Sequence, residues 1–360
     1  MQIVCLNCGR PYPAEGAPYE CQKCGGLFDD LAPIVWYGSN PQQPGIWRYS
    51  DPKSLPDPRI SLGEGGTPLL DAQAFGRRIF LKCEYANPTG SFKDRGSAAL
   101  VSFLVSRGVK EAVEDSSGNA GASFAAYAAR AEMKARVYIP EGASGPKRQQ
   151  VEKYGAEIIE VQGPRSNAAA AARSASAEGW AYASHAYLPQ NLFGYATCAF
   201  EIVQQLRGGP GAVVVPAGQG GLLLGMGRGF SALLAAGLVP KMPVLVGVQA
   251  ARCAPLTALF EMGAVGLSFV TEGQTVAEGV RVRTPVRAEA VVRMVRESGG
   301  RFVAVDEEFI SPGRDALAQM GFYVEPTSAL VWHALEENLA GLPDPIVIVL
   351  TGSGYKVRAP

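Results

Sequence analysis

Residues 212–236 read AVVVPAGQGGLLLGMGRGFSALLAA. The run Ala212–Val215 is continuously apolar, as a strand buried on both faces of a parallel sheet requires. Pro216 to Gly221 then supplies small, turn-forming residues, and an apolar helical stretch follows from Leu222 to Ala236. Strand, glycine loop and helix make one arm of a βαβ unit. The same alternation continues in both directions. Strands are expected at Arg78–Lys82, Glu111–Asp115, Ala135–Ile139, Glu157–Val161, Val244–Val248, Arg301–Val305 and Ile346–Leu350. Helices are expected at Lys93–Arg107, Ala120–Ala131, Pro146–Tyr154, Asn167–Ala177, Thr197–Leu206, Val286–Ser298, Asp306–Met320 and Thr327–Leu339. The pattern predicts an α/β fold with open, mostly parallel sheets flanked by helices.

Composition narrows the function. Lys+Arg and Asp+Glu both number 33, and this balance argues against a nucleic-acid backbone or an anionic membrane as the main partner. Hydrophobic residues make up 47%, enough for a large core, and the 360-residue length favours two domains. Only two His are present, so catalysis built on several histidines is not expected. No stretch reads as a membrane span, and MQIVCLNCGR at residues 1–10 has no apolar signal core. A cytoplasmic protein with reduced thiols is the expectation.

Cys5, Cys8, Cys21 and Cys24 form C-x2-C, a 12-residue gap, and a second C-x2-C. Two such knuckles can aim four thiolates at one tetrahedral Zn. With every ligand a protein thiolate there is no open position, so the metal would be structural. Cysteines packed without metal, or a redox pair, remain the alternatives. A zinc ribbon also opens a second function class, nucleic-acid binding, but only Arg10 and Lys23 supply positive charge there. Cys83, Cys198 and Cys253 read as core thiols. Residues 31–60 are dense in Pro, which forbids regular helix, and Trp36, Tyr37, Trp47 and Tyr49 suggest an extended linker packed on the body.

Four loops carry the chemistry. The first, Asn87–Arg95, reads NPTGSFKDR and brings Lys93 to a helix entry, where the dipole and partial desolvation suit Schiff-base chemistry. Taken singly, such a Lys is a surface residue. The second, Ser116–Gly121, reads SSGNAG between strand and helix. Its hydroxyls and free N–H groups at Ser116, Ser117 and Gly118 can hold a carboxylate, and Asn119 offers an amide; an ordinary N-cap is the plainer reading. The third, Gly218, Gln219, Gly220, Gly221 and Leu222, can converge N–H groups on a phosphate or form only a tight turn. The fourth, TGSGYK at Thr351–Lys356, follows the last apolar strand and places a hydroxyl where α/β sheets bind ligands, or simply leaves the sheet.

Together these loops resemble the fold type II pyridoxal-phosphate enzymes, the tryptophan synthase β-like group, and within it the threonine synthases. NPTGSFKDRG (Asn87–Gly96), GEGGTPL (Gly63–Leu69) and the four-cysteine ribbon carry the resemblance over about the whole chain. It implies a zinc-ribbon-like segment at 1–30, a large cofactor domain at 61–95 and 195–360, and a small domain at 96–194. It implies that Lys93 bonds pyridoxal 5'-phosphate, that Asn119 contacts the ring hydroxyl, and that Gly218–Leu222 hold the phosphate. Thr351 would face the pyridine nitrogen, and Ser116, Ser117 and Gly118 would bind the substrate carboxylate. The implied reaction turns O-phosphohomoserine and water into threonine and phosphate, in a homodimer.

The chain departs from the family pattern at three places. The asparagine loop is SSGNAG rather than STGN, the glycine loop is GQGGL rather than GNxGN, and Asn191 stands where some members use an Arg near the substrate phosphate. Lys82, Lys147 or Arg148 could supply that charge, although each alone reads as a surface cation. A threonine or serine deaminase, or another eliminating or replacing enzyme, is the second reading. A protein that stores the cofactor without turnover is a third.

Overall fold

The computed structural model describes residues 2–51, 57–143 and 145–357. In chain order the strands are β1 (Ile3–Cys5), β2 (Phe28–Asp30), β3 (Leu69–Ala74), β4 (Arg77–Lys82), β5 (Glu111–Glu114) and β6 (Lys134–Pro140). Then come β7 (Glu157–Val161), β8 (Ala181–Tyr182), β9 (Ala212–Pro216), β10 (Val244–Ala250), β11 (Arg301–Val305) and β12 (Ile346–Val349). The helices are α1 (Lys93–Ser106), α2 (Asn119–Arg130), α3 (Pro146–Lys153), α4 (Arg165–Ala177) and α5 (Asn191–Leu206). They continue with α6 (Gly221–Ala235), α7 (Pro255–Met262), α8 (Ala288–Glu297), α9 (Glu307–Gln319) and α10 (Pro326–Asn338).

The chain divides into two compact units. The first runs to Glu64 and includes Lys93–Gly194; the second comprises Gly65–Phe92 and Tyr195–Lys356. In the first unit β7-β6-β5-β8 form a sheet, parallel throughout. Ala98, Val101, Phe124, Tyr127, Val137 and Ile139 are buried in one cluster against it. Ala168, Ala172 and Ala175 of α4 close on Val113 and Tyr182 in another. Small Ala side chains let that helix lie close to the sheet. At the start of this unit β1 pairs antiparallel with β2 beneath the cysteine knuckles.

In the second unit the order is β11-β10-β9-β12-β4-β3, parallel except for the β3–β4 hairpin at one edge. Every residue of β9 and β12 is buried. These two strands pair directly, and their central position explains why their sequences are apolar without alternation. Edge strand β3 shows the opposite pattern, with half of its residues exposed and only Ala74 buried.

Two expectations need correction. Within the Pro-rich segment, Gly45–Tyr49 forms a 3-10 turn with Ile46, Trp47 and Tyr49 buried; residues 52–56 of that segment lie outside the described residues. Pro44 precedes the turn, where its fixed φ and missing N–H cost nothing. Lys82 is no surface cation. It is fully buried in the second unit, 2.8 Å from Glu201 Oε2, and donates also to the Thr67 carbonyl (2.8 Å) and Gln205 Oε1 (2.9 Å). Glu201 Oε1 in turn accepts from Gly66 N–H at 2.8 Å. This closed network spends the charge of Lys82 inside the fold, where breaking a buried pair costs about 3–5 kcal/mol.

Candidate active site

In a parallel sheet every strand ends at the same edge, so loops after neighbouring strands meet there. The second unit sets the glycine loop after β9 beside Thr351 after β12 in this way. Gly220 is the N-cap of the 15-residue α6, has φ 75°, and makes no side-chain cap bond. A Cβ there would lie 2.7 Å from Val291 Cγ2, so both backbone conformation and space demand Gly. The first N–H groups of α6 therefore have no side-chain cap, and the helix dipole adds partial positive charge. Gln219 does not compete for that space, since its Oε1 accepts from Val286 N–H at 2.9 Å. The cradle fits a phosphate, the charged end of pyridoxal 5'-phosphate.

Thr351 is 2% exposed. Its Oγ1 lies 3.0 Å from Ser328 Oγ, and Ser328 Oγ also accepts from Gly352 N–H at 2.8 Å. The Thr351 carbonyl accepts from Phe92 N–H at 3.0 Å. The hydroxyl is thus held in place with a neutral partner. Such a group can hydrogen-bond a ring nitrogen but cannot stabilise it as a cation the way a carboxylate does.

In the first unit Lys93 is the opening residue of α1, as the loop reading expected. Beside it Asp94 and Arg95 are completely buried, and Asp94 Oδ1 accepts from Ser123 Oγ at 2.6 Å, locking α1 to α2. Asn119 opens α2, whose N-cap is Gly118 and carries no side-chain cap. The plain N-cap reading therefore fails: Ser116 Oγ instead accepts from Gly118 N–H at 3.2 Å, folding the loop on itself. A Cβ on Gly121 would fall within overlap distance of the Ser116 carbonyl oxygen, so Gly lets α2 approach the loop. The structure brings Ser116, Ser117, Gly118 and Asn119 together at the carboxyl edge of β5.

Two further groups stand at this edge that the sequence reading passed over. Glu114 ends β5, and His185 follows the adjacent β8. His185 Nδ1 lies 2.5 Å from Glu114 Oε1. Burial pushes the Glu114 carboxyl up to about 7, against the opposing charges of Arg165 and Lys93. Burial, with Lys93 reinforcing it, holds His185 well below the usual imidazole range. Next in the chain, Asp115 accepts from Tyr182 O–H at 2.9 Å, and burial and then the Glu114 charge raise it. The missed signal was a pair of acids, Glu114 and Asp115, closing an otherwise buried parallel strand. Asn191 is 2% exposed and gives its amide to the His185 carbonyl at 2.5 Å, so it fixes this loop. Arg148 is held by Glu152 (3.0 Å) and Glu160 (2.7 Å) at the surface.

At the other end of the first unit, the Sγ atoms of Cys5, Cys8, Cys21 and Cys24 all lie within 4.8 Å of one another. Cys5–Cys24 is 3.5 Å and Cys8–Cys21 is 3.8 Å. A tetrahedron with metal–sulfur bonds of about 2.3 Å has edges of about 3.8 Å, so the donor set could hold a metal ion. Gly9 N–H donates to the Cys5 carbonyl (2.9 Å) and Gly25 N–H to the Cys21 carbonyl (2.7 Å), giving both knuckles the same turn. The remaining three Cys are buried, as expected of core thiols.

The sequence signature of the family described as "Pyridoxal-phosphate dependent enzyme" matches residues 60–352. The threonine synthase of Methanocaldococcus jannaschii is 34% identical over 374 residues, 98% of this chain and 92% of that relative. This chain belongs to the threonine synthase family of pyridoxal-phosphate-dependent enzymes. The threonine synthase of Synechocystis sp. is 35% identical over 316 residues, covering 85% of this chain and 80% of its own. Among solved structures, the T.th. threonine deaminase is 28% identical with a TM-score of 0.67, covering 82% of this chain and 94% of that one. Maize serine racemase, at 21% identity and TM-score 0.70 over 81% of this chain and 88% of its own, shares the fold. Among the described residues no helix is long and apolar enough to cross a membrane.

The state of Glu114 has a measurable consequence for stability. The folded protein keeps its proton to about pH 7, whereas the unfolded chain releases it near the ordinary value of 4.5. Between these values folding takes up a proton, so the stabilisation is complete below the lower value and is lost toward the upper one. Relative to Glu114→Gln, the wild-type protein should lose about 1.4 kcal/mol per pH unit across this window. Urea unfolding at several pH values checks this; a pH-independent difference contradicts it.

Proposed function

We propose that this family member is a threonine synthase, converting O-phosphohomoserine and water to L-threonine and phosphate. The full-length similarity to threonine synthases carries the reading. The uncapped α6 N-terminus and the neutral Thr351–Ser328 pair support it. Gly218, Gln219, Gly220, Gly221 and Leu222 would hold the cofactor phosphate, Asn119 the ring hydroxyl and Thr351 the pyridine nitrogen. Lys93 would bond the cofactor at rest. When bound, pyridoxal phosphate supplies a sink for the electron pair released at Cα.

The chain's own groups then divide the labour. Ser116, Ser117 and Gly118 would bind the substrate carboxylate and orient the Cα–H bond. The Lys93 amine would take the Cα proton and move a proton at Cβ. Because Thr351 offers a hydroxyl, it would leave the ring nitrogen neutral and the sink weaker, which would suit elimination and replacement over transamination. A threonine deaminase is the second reading, favoured by the GQGGL loop and the likeness to the T.th. threonine deaminase structure.

The four-cysteine segment is proposed to bind structural Zn, supported by sulfur spacings near a tetrahedral edge. The enzyme is proposed to act in the cytoplasm as a homodimer. Zero net charge and only two basic residues in the ribbon leave nucleic acid without an electrostatic footing.

Two measurements test these readings. With O-phosphohomoserine the purified protein should release phosphate and threonine in equal amounts. Formation of 2-oxo acid and ammonia from threonine or serine, with no phosphate release, points to the deaminase. Metal analysis of the purified protein should find one Zn per chain, and Cys21→Ser should lower both metal content and melting temperature. Full stability in that variant without bound metal contradicts the Zn site.

A further inference from the structure

Glu114 and His185 form a connected pair with unequal exposure. The carboxyl is 1% exposed, while the imidazole side chain is 14% exposed. One carboxyl oxygen meets His185 Nδ1 at 2.5 Å; the other, Oε2, is buried and makes no hydrogen bond of good geometry among the described residues, although the Ser116 and His185 backbone N–H groups act on the carboxyl. The pair thus joins a fully buried carboxyl at the end of β5 to a partly exposed imidazole in the segment after β8. Glu114 lies two residues before Ser116, and the charge of a free Lys93 amine acts on both members. The Asn191–His185 bond fixes the loop carrying the imidazole. None of the roles assigned above uses this pair, yet burying an ionisable acid beside an imidazole costs stability that an apolar strand end would not.

We propose that Glu114 and His185 are a one-proton relay that protonates the oxygen leaving the substrate side chain, as a second acid–base group beside Lys93. The proposal rests on the elimination chemistry read above and adds to it a proton donor for the leaving group. At rest the relay proton bonds Glu114 to Nδ1, and Nε2 carries its own hydrogen. As the Cγ–O bond breaks, its electron pair leaves on oxygen and takes the Nε2 proton; the Glu114 proton passes to Nδ1. The imidazole stays neutral throughout and Glu114 becomes a carboxylate. When water adds, its oxygen bonds Cβ and one of its protons goes to Nε2. The Nδ1 proton then returns to Glu114, and the relay is reset with no net gain or loss. His185 is the donor; Glu114 is the positioning and reservoir group.

The groups facing the pair favour a single shared proton. Desolvation opposes both the carboxylate and the imidazolium. Lys93 and Arg165 oppose imidazolium and, with the Ser116 and His185 backbone N–H groups, partly offset the burial of the carboxylate, while Asp115, hydrogen-bonded to Tyr182, favours imidazolium. Near pH 7 the carboxyl can release and regain its proton easily, which general acid catalysis needs.

The chain's two histidines make the test direct. In holoenzyme with isotope-labelled His, the His333→Gln variant leaves a single resonance set, that of His185. Neutral imidazole across pH 5–8 with Nδ1 accepting, and a chemical-shift step near pH 7 that vanishes in Glu114→Gln, support the relay. Kinetics in deuterated water separate the steps. L-2-aminobutyrate has no leaving group, so its Cα exchange reads Lys93 alone. Glu114→Gln and His185→Gln should keep Cα exchange within about 2-fold but lose phosphate release from O-phosphohomoserine by about 100-fold or more. Phosphate release at the wild-type rate in either variant overturns the proposal, as does equal loss of exchange and release. If the wild-type protein exchanges Cα but releases no phosphate, the threonine synthase reading fails instead. The same split is then measured as 2-oxo acid formation from threonine, with the same criterion for the relay.

Discussion

Two helix N-termini that follow parallel strands and open on Gly N-caps govern the arrangement of this protein. Gly118 and Gly220 occupy the N-cap positions of α2 and α6, where Ser, Thr, Asp or Asn would normally satisfy an N–H group. Each helix follows a parallel strand, so its N-terminus stands at the carboxyl edge of a sheet. Glycine at these caps lets backbone N–H groups and the helix dipole face outward at the ends of β5 and β9, which favours negative charge there. The surrounding packing supports both: α1 locks to α2 through Asp94 and Ser123, and Val291 fills the space that a side chain at position 220 would need.

Much of this was legible because the strands concerned are central. β9 and β12 are apolar without interruption, and an apolar run followed by a glycine or serine loop marks a parallel strand with its carboxyl end. Elements decided by other means were harder to read. Edge strand β3 turns only the small Ala72 and Ala74 to the core, the two residues of β8 are too short to show a period, and α7 follows a turn with no strong cap. Helix α5 begins at Asn191, six residues before the expected Thr197, because Gly194 in its first turn reads as a breaker. Close approach explains that glycine: a Cβ there would overlap the Arg95 carbonyl.

The site was legible in its glycines and its lysine, and opaque in its charges. Motif position placed Lys93, Asn119 and Thr351 at element ends. No local pattern could show that Lys82 is neutralised by Glu201, 119 residues away, or that Glu114 meets His185 across 71 residues. Such pairs depend on tertiary contact alone. They also change the chemical reading, since one cation thought available at the surface is committed to the core. A carboxyl–imidazole pair appears where the sequence suggested only a strand end.

The central claim is that Lys93 is the residue bonded to the cofactor, and borohydride reduction tests it most directly. Protein incubated with pyridoxal 5'-phosphate, reduced and digested should carry the pyridoxyl phosphate mass on the peptide containing Lys93 and nowhere else. A peptide of unaltered mass at Lys93, or the label on another lysine, contradicts the account.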